Sequence, residues 1–134
     1  MTGVESGVPV NKTVFCIVVL CAAFISAASG AALADGDAVA GKKLFARCVA
    51  CHAVTPGNHG IGPSLFGVFG RKAGTAAGCG YSSAMKKAAP VWDAQTLDRY
   101  LDNPPRFIPG TRQTFRLTDA GDRAKVIAYL ATLK

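Results

Sequence analysis

Residues 48–52 read Cys48-Val49-Ala50-Cys51-His52, the C-x-x-C-H pattern that attaches haem covalently. Two thiols separated by two residues on one helical turn can each bond a vinyl group of one porphyrin. His52, directly after them, can offer an imidazole nitrogen to the iron as an axial ligand. An exported chain could instead oxidise Cys48 and Cys51 to a disulfide, but the histidine that follows argues for haem.

Upstream of the motif, the first 34 of the 134 residues differ from the rest. Lys12 gives a weakly positive start, Val14 to Ala28 is almost wholly apolar, and Ala32-Leu33-Ala34 precedes Asp35. This order is that of a secretory signal, with cleavage expected after Ala34. The rival reading is an uncleaved membrane anchor, since the stretch could nearly span a bilayer; Ser26, Ser29 and Gly30 weaken its far end. Cys21 follows Leu20 rather than a small residue, so lipid attachment is not expected there. The organisation is thus a signal peptide over 1–34 and one domain over 35–134.

The domain keeps a formal charge of +7, because the leader carries one basic and one acidic side chain, Lys12 and Glu5. The basic residues form no run, and export removes the opportunity for nucleic-acid binding. A basic surface suits encounters with an acidic protein partner, which electrostatic steering accelerates. It equally suits a solvated surface that keeps the protein soluble. A hundred residues make a marginal core unaided, and a porphyrin would supply a large apolar body at its centre. Cys16 and Cys21 belong to the leader, so Cys79 is the odd thiol of the domain and reads as a small, partly packed residue.

Patterning gives an all-α class. Asp35-Gly36-Asp37 can start a helix running to about Cys48, with Gly41, Phe45 and Cys48 on one face. Gly41 costs about 1 kcal/mol relative to alanine inside a helix, which makes sense if another helix crosses closely there. Thr55 to Gly80 holds eight glycines and two prolines in 26 residues, without helical or strand period. It also holds Leu65, Phe66, Val68 and Phe69, too apolar for disorder, so it is expected to wrap a ligand. Ser82–Ala88 reads as a short helix stopped by Pro90. Asp93 or Thr96 can open the next, with Leu97, Tyr100 and Leu101 on one side, before Pro104-Pro105 ends it. Phe107 to Phe115 reads as a loop turning at Pro109-Gly110. Asp119 starts the last helix, whose apolar stripe is Val126, Ile127, Tyr129, Leu130 and Leu133.

In order, GKKLFARCVACH, GPSLFGVFGRKAG, Tyr81 with Trp92, NPPRFIPGT and VIAYL resemble the soluble class I cytochromes c of the mitochondrial and photosynthetic-bacterial type. The resemblance covers nearly all of residues 36–134. It implies a small helical fold around one covalent haem c, with long irregular loops. It implies His52 as iron ligand, the Pro63 carbonyl as acceptor of the other imidazole N–H, and Arg71, Tyr81 and Trp92 as donors to a buried propionate. Phe115 is named with them as a cofactor-binding position. By the same resemblance, Gly41 and Phe45 would pack across the last helix near Val126 and Tyr129.

One position departs. The family's second iron ligand is the methionine of P-G-T-K-M, where this chain has Pro109-Gly110-Thr111-Arg112-Gln113. Met85 matches a haem-pocket position on a different segment. A thioether favours ferrous iron and raises the potential; the hard amide oxygen of Gln113 would lower it. Three states are open: Gln113 bound through oxygen, a site that is open or holds water, or a lysine or His59 swung in. Lys86, Lys87 and Arg112 read as solvated.

The resemblance implies a non-enzymatic, periplasmic, monomeric electron carrier. Its donor would be a quinol–cytochrome reductase and its acceptor an oxidase or reaction centre, each meeting it through acidic patches. Membrane contact is expected only if the leader stays attached. The alternative is a haem protein whose open sixth position binds a diatomic ligand. A peroxidase lacks a distal histidine placed for acid–base work, a zinc site lacks a second well-spaced pair, and a thioredoxin-like use of the cysteines lacks a βαβ pattern.

Overall fold

Helix α1, Ser29–Leu44, is the longest helix among the described residues and leads through Phe45–Arg47 into the C-x-x-C-H turn. The computed structural model describes Gly3 and residues 29–134, with side chains from Asp37 onward. The chain divides into two units, Met1–Ala32 and Leu33–Lys134. The expected signal segment, with Cys16 and Cys21, lies outside the described residues apart from Gly3 and the backbone of the start of α1.

α1 begins earlier than the Asp35 start expected from the caps. Ala31, Ala32, Leu33 and Ala34 are strong helix formers with no breaker among them, so the helix runs through Asp35 and Asp37. It also stops being α-helical before Cys48. Phe45–Arg47 tightens to a 3-10 turn, and the Cys48 N–H bonds the Phe45 carbonyl at 2.7 Å.

The remaining helices start where local chemistry satisfies their first N–H groups. Ser82 caps α2 (Ser83–Ala88) by accepting from the Met85 N–H. Ala89 ends it in the left-handed region at φ +40, one residue before Pro90. Asp93 caps α3 (Ala94–Asp102) in a reciprocal box with Thr96. Asp119 caps α5 (Ala120–Thr132) by accepting from the Asp122 N–H. Pro104-Pro105 does more than end α3. Asn103 accepts from the Arg106 N–H, and Pro104 opens a further turn, α4 (Pro104–Phe107). Proline needs no acceptor in the first turn of a helix, so the pair starts one as readily as it stops one.

Residues 55–80 hold no helix, as the glycine pattern implies. Among the described residues the extended pairing is a single antiparallel bridge, Lys72 with Val91. Flanking it, the Trp92 N–H donates to the Arg71 carbonyl at 2.9 Å and the Ala73 N–H to the Pro90 carbonyl at 2.7 Å.

The core forms where α1 crosses α5. The Phe45 and Tyr129 rings lie 5.2 Å apart and tilted, and both are buried with Val126, Ile127 and Leu130. Leu133, the last residue of the expected stripe, is half-buried against this cluster. A Cβ on Gly41 would land on the Lys125 carbonyl, so the absent side chain is what lets the two backbones touch. α3 packs on α5, and the buried Arg123 joins them. Its Nε donates to Asp98 at 2.6 Å, and Nη1 reaches Asp102 at 3.3 Å and the carbonyls of Leu117 and Thr118 at 3.1 and 2.8 Å. Two carboxylates and two carbonyls thus surround Nε and Nη1 of the buried guanidinium, the pairing that burial of a charge requires.

Gly41→Ala is expected to destabilise the folded protein by about 2–4 kcal/mol through overpacking against a carbonyl that cannot rotate away. Denaturant unfolding of the haem-loaded protein checks it; a variant within experimental error of wild type would refute the close crossing.

Candidate haem site

The site is built outward from one tight turn. The Cys48 carbonyl accepts from the N–H of both Cys51, at 3.1 Å, and His52, at 3.0 Å. This doubly used carbonyl folds residues 48–52 so that both thiols and the imidazole line one cavity, while Val49 and Ala50 point to solvent. The cysteines are free and half-buried. Burial pushes the Cys48 thiol above its ordinary range, against a smaller opposite pull from Arg47.

The loop after the turn wraps back over it. The Gly62 N–H donates to the Cys51 carbonyl at 2.9 Å, and His52 Nδ1 lies 2.7 Å from the Pro63 carbonyl. That bond requires the proton on Nδ1, which leaves Nε2 as the nitrogen with a lone pair for a metal. A Cβ on Gly62 would strike the imidazole ring. The glycine is therefore what lets the ring lie flat against the loop backbone.

At another side of the cavity stand Arg71, Tyr81 and Trp92. Arg71 donates to the carbonyls of Phe66 and Ser64, both at 3.0 Å, and among the described residues it has no carboxylate partner. The short extended pairing holds Trp92 beside it. Burial raises the Tyr81 hydroxyl pKa, opposed by smaller pulls that include the Arg71 charge. A half-buried guanidinium with neutral partners, a phenol and an indole N–H form a donor set suited to a carboxylate. Phe115 also lines the cavity, with the Arg47 guanidinium 5.2 Å from its ring centroid.

Gln113 lines the same cavity as His52 and is half-buried. Its backbone N–H donates to Thr111 Oγ1 at 3.4 Å, and the Thr111 hydroxyl bonds Tyr100 Oη at 2.9 Å. Tyr100 stacks on Trp92 with centroids 4.9 Å apart. Met85, buried, and Cys79, half-buried, complete the lining near these residues.

Two sequence expectations change here. His59 does not line the cavity. Its Nε2 meets the Ala77 carbonyl at 2.7 Å and its Nδ1 accepts from the Ser64 N–H at 3.0 Å, so both nitrogens are used in clamping two loops together. Arg112 is exposed as expected, yet not merely solvated: Nη1 donates to the Gly80 carbonyl at 3.1 Å. Tyr100 and Thr111 escaped the sequence reading, because one belongs to an apolar helix side and the other to a turn. Among the described residues no group of three or more His, Cys, Asp or Glu is placed to hold a metal ion.

Comparison with known proteins agrees with this geometry. Residues 38–134 match the family described as "Cytochrome c". The chain belongs to the cytochrome c family. It is 46% identical over 101 residues to cytochrome c of Euglena viridis, covering 74% of this chain and 99% of the relative. It is 47% identical over 106 residues to cytochrome c2 of Rhodomicrobium vannielii, covering 78% and 85%. Among solved structures it is similar to cytochrome cH from Methylobacterium extorquens, with TM-score 0.66 and 42% identity over 71% of this chain and 97% of that one.

The cytochrome is accordingly an electron-transfer protein, not an enzyme, with one covalently attached haem c. The residues present fit that group. The cavity measures about 380 Å³, is largely apolar and opens to the surface, and its walls include the core residues Phe45, Val68, Leu97, Val126 and Leu130. Protein interiors are close-packed, so walls made of core side chains imply a large apolar occupant.

Gly62→Ala is expected to push the imidazole off the Pro63 carbonyl, a bond of about 1 kcal/mol net. The variant should accumulate less haem-loaded protein with a weakened low-spin spectrum, read by absorbance per chain. Wild-type yield and spectrum would refute the role of the glycine.

Proposed function

We propose that this cytochrome is an exported single-electron carrier with a lowered reduction potential, in which Gln113 takes the sixth position opposite His52. The observation that carries the reading is Gln113's place on the wall of the cavity that His52 also lines. Haem c supplies a one-electron couple between ferrous and ferric iron. Cys48 and Cys51 would hold it covalently, and His52, with Nδ1–H on the Pro63 carbonyl, would offer Nε2 to the iron. Arg71, Tyr81 and Trp92 would donate to a propionate, and Phe115 would pack against the porphyrin. The amide oxygen of Gln113 is a harder donor than a thioether and stabilises the ferric state.

Residues 1–34 direct export and are removed, which places the domain in the periplasm as a monomer. Its partners are membrane redox complexes: a quinol–cytochrome reductase as donor and an oxidase or reaction centre as acceptor. The charge of +7 supports docking of basic residues on acidic patches of the donor and acceptor.

Optical spectra of the oxidised and dithionite-reduced protein, with and without CO, test the ligand. The ferric spectrum of wild type should differ from that of Gln113→Ala, reduced Gln113→Ala should bind CO faster than reduced wild type, and Gln113→Met should raise the midpoint potential. A wild-type ferric spectrum identical to that of Gln113→Ala, with CO binding at the same rate, would overturn Gln113 ligation and favour the diatomic-ligand reading. Stopped-flow reduction by an acidic redox partner tests docking. The second-order rate constant should fall by about tenfold or more between low and high ionic strength, and a flat dependence would refute charge-guided encounter.

A further inference from the structure

Ile61 is the most exposed large apolar side chain among the described residues, at 88%, and it also lines the cavity. A side chain that does both stands at the cavity mouth. An isoleucine left this far in water gains nothing for the fold. Its backbone, by contrast, is pinned. The Gly60 N–H donates to the Gly62 carbonyl at 3.1 Å and the Gly62 N–H to the Cys51 carbonyl at 2.9 Å, and Pro63 follows with its fixed φ. A Cβ on Gly60 would strike the Cys51 carbonyl, so this loop lies directly on the C-x-x-C-H turn. That turn presents a second exposed apolar side chain, Val49, at 59%. Among the described residues no acidic side chain lines the cavity. Arg112 on its wall, Arg47 beside Cys48, and Lys86 and Lys87 beside Met85 are all exposed.

On the reading that the partners are membrane redox complexes, we propose that Ile61 is the apolar anchor of the docking surface, with Val49 as a lesser contact. The partner then seats on the His52 side of the cavity mouth. The partner that fits is a protein face with an apolar hollow flanked by carboxylates. The charges draw the two proteins together over a distance, and salt screens that part. The apolar contact acts only once the faces touch, and simple screening leaves it in place. Burying one large aliphatic side chain removes enough apolar area from water to change the population of docked complex by about tenfold. Because the loop is pinned before contact, ordering it takes little from that gain. The position also gives contact a short path inward: Ile61 is joined to Gly62, whose N–H meets the carbonyl of Cys51.

The test is stopped-flow reduction of the haem-loaded protein by a purified quinol–cytochrome reductase, below saturation, at low and high potassium chloride. The variants are Ile61→Ser, Ile61→Val and, as control, Val39→Ser; Val39 is 62% exposed on α1 and absent from the cavity wall. Ile61→Ser should lower the second-order rate constant by about tenfold at both salt concentrations. Its salt dependence should run parallel to wild type, since no charge changes. Ile61→Val should recover most of the loss, and Val39→Ser should match wild type. Reduction by ascorbate, which needs no protein docking, and the midpoint potential should be the same in all four proteins. An Ile61→Ser rate equal to wild type would overturn the anchor and leave the partner class standing. An equal loss in Val39→Ser, or a slowed ascorbate reaction in Ile61→Ser, would also overturn it, by tracing the effect to the general surface or to the haem. A reductase that does not reduce wild type would overturn the partner class and the anchor together.

Discussion

The Cys48 carbonyl, shared by the N–H groups of Cys51 and His52 at 3.1 and 3.0 Å, is the constraint on which the site depends. It bends five residues so that two sulfurs and one imidazole line the same cavity. Helix α1 has to give way to a 3-10 turn just before it, and the loop 60–65 has to fold back over it through Gly62 and Pro63. The crossing of α1 on α5 at Gly41 fixes where that turn stands relative to the core. A shift of α1 along α5 would carry both thiols with it, so the contact between two helix backbones governs the placement of the cofactor.

Much of this was legible because it is encoded locally. C-x-x-C-H names its chemistry in five residues, and Ser82, Asp93 and Asp119 announce helix starts by side chains that reach only three residues ahead. The glycine-rich run declares itself irregular by composition. What stayed hidden depends on partners distant in sequence. Arg123 sits among apolar helix positions, and nothing near it in sequence signals that Asp98 and Asp102 will accept its charge from another helix. Tyr100 reads as one more aromatic in a helix face until Thr111 is placed opposite its hydroxyl. His59 stayed open as a minor alternative because a histidine in a loop has no local mark of its hydrogen bonds, here to Ala77 and Ser64. Pro104 misled in the other direction, since the same residue that stops one helix is well suited to begin another.

The two sides of the cavity are held by bonds of different kinds. On the His52 side, the imidazole bond to Pro63 and the Gly62 bond to Cys51 are short and engage half-buried groups. Burial removes competing water, so opening that side leaves polar groups unpaired and costs their full desolvation. On the Gln113 side, the loop rests on one half-buried hydroxyl pair and on a guanidinium at the surface. The histidine is thus fixed by the fold itself, whereas Gln113 is carried by a loop.

On the proposed reading that Gln113 takes the sixth position, that asymmetry lets glutamine stand there without disturbing the rest of the molecule. Gln113 contributes to no helix, and the core residues of the α1–α5 crossing do not depend on its side chain. As the proposed sixth ligand, its chemistry would act on the iron alone: a harder donor would lower the potential, and a weaker bond would make the occupancy of the site depend on how the loop is tethered. A methionine in its place would form a bond to ferrous iron strong enough to hold the loop by itself. With an amide as the proposed ligand, the loop's own contacts, the hydrogen bonds of Thr111 and Arg112, would decide where Gln113 stands.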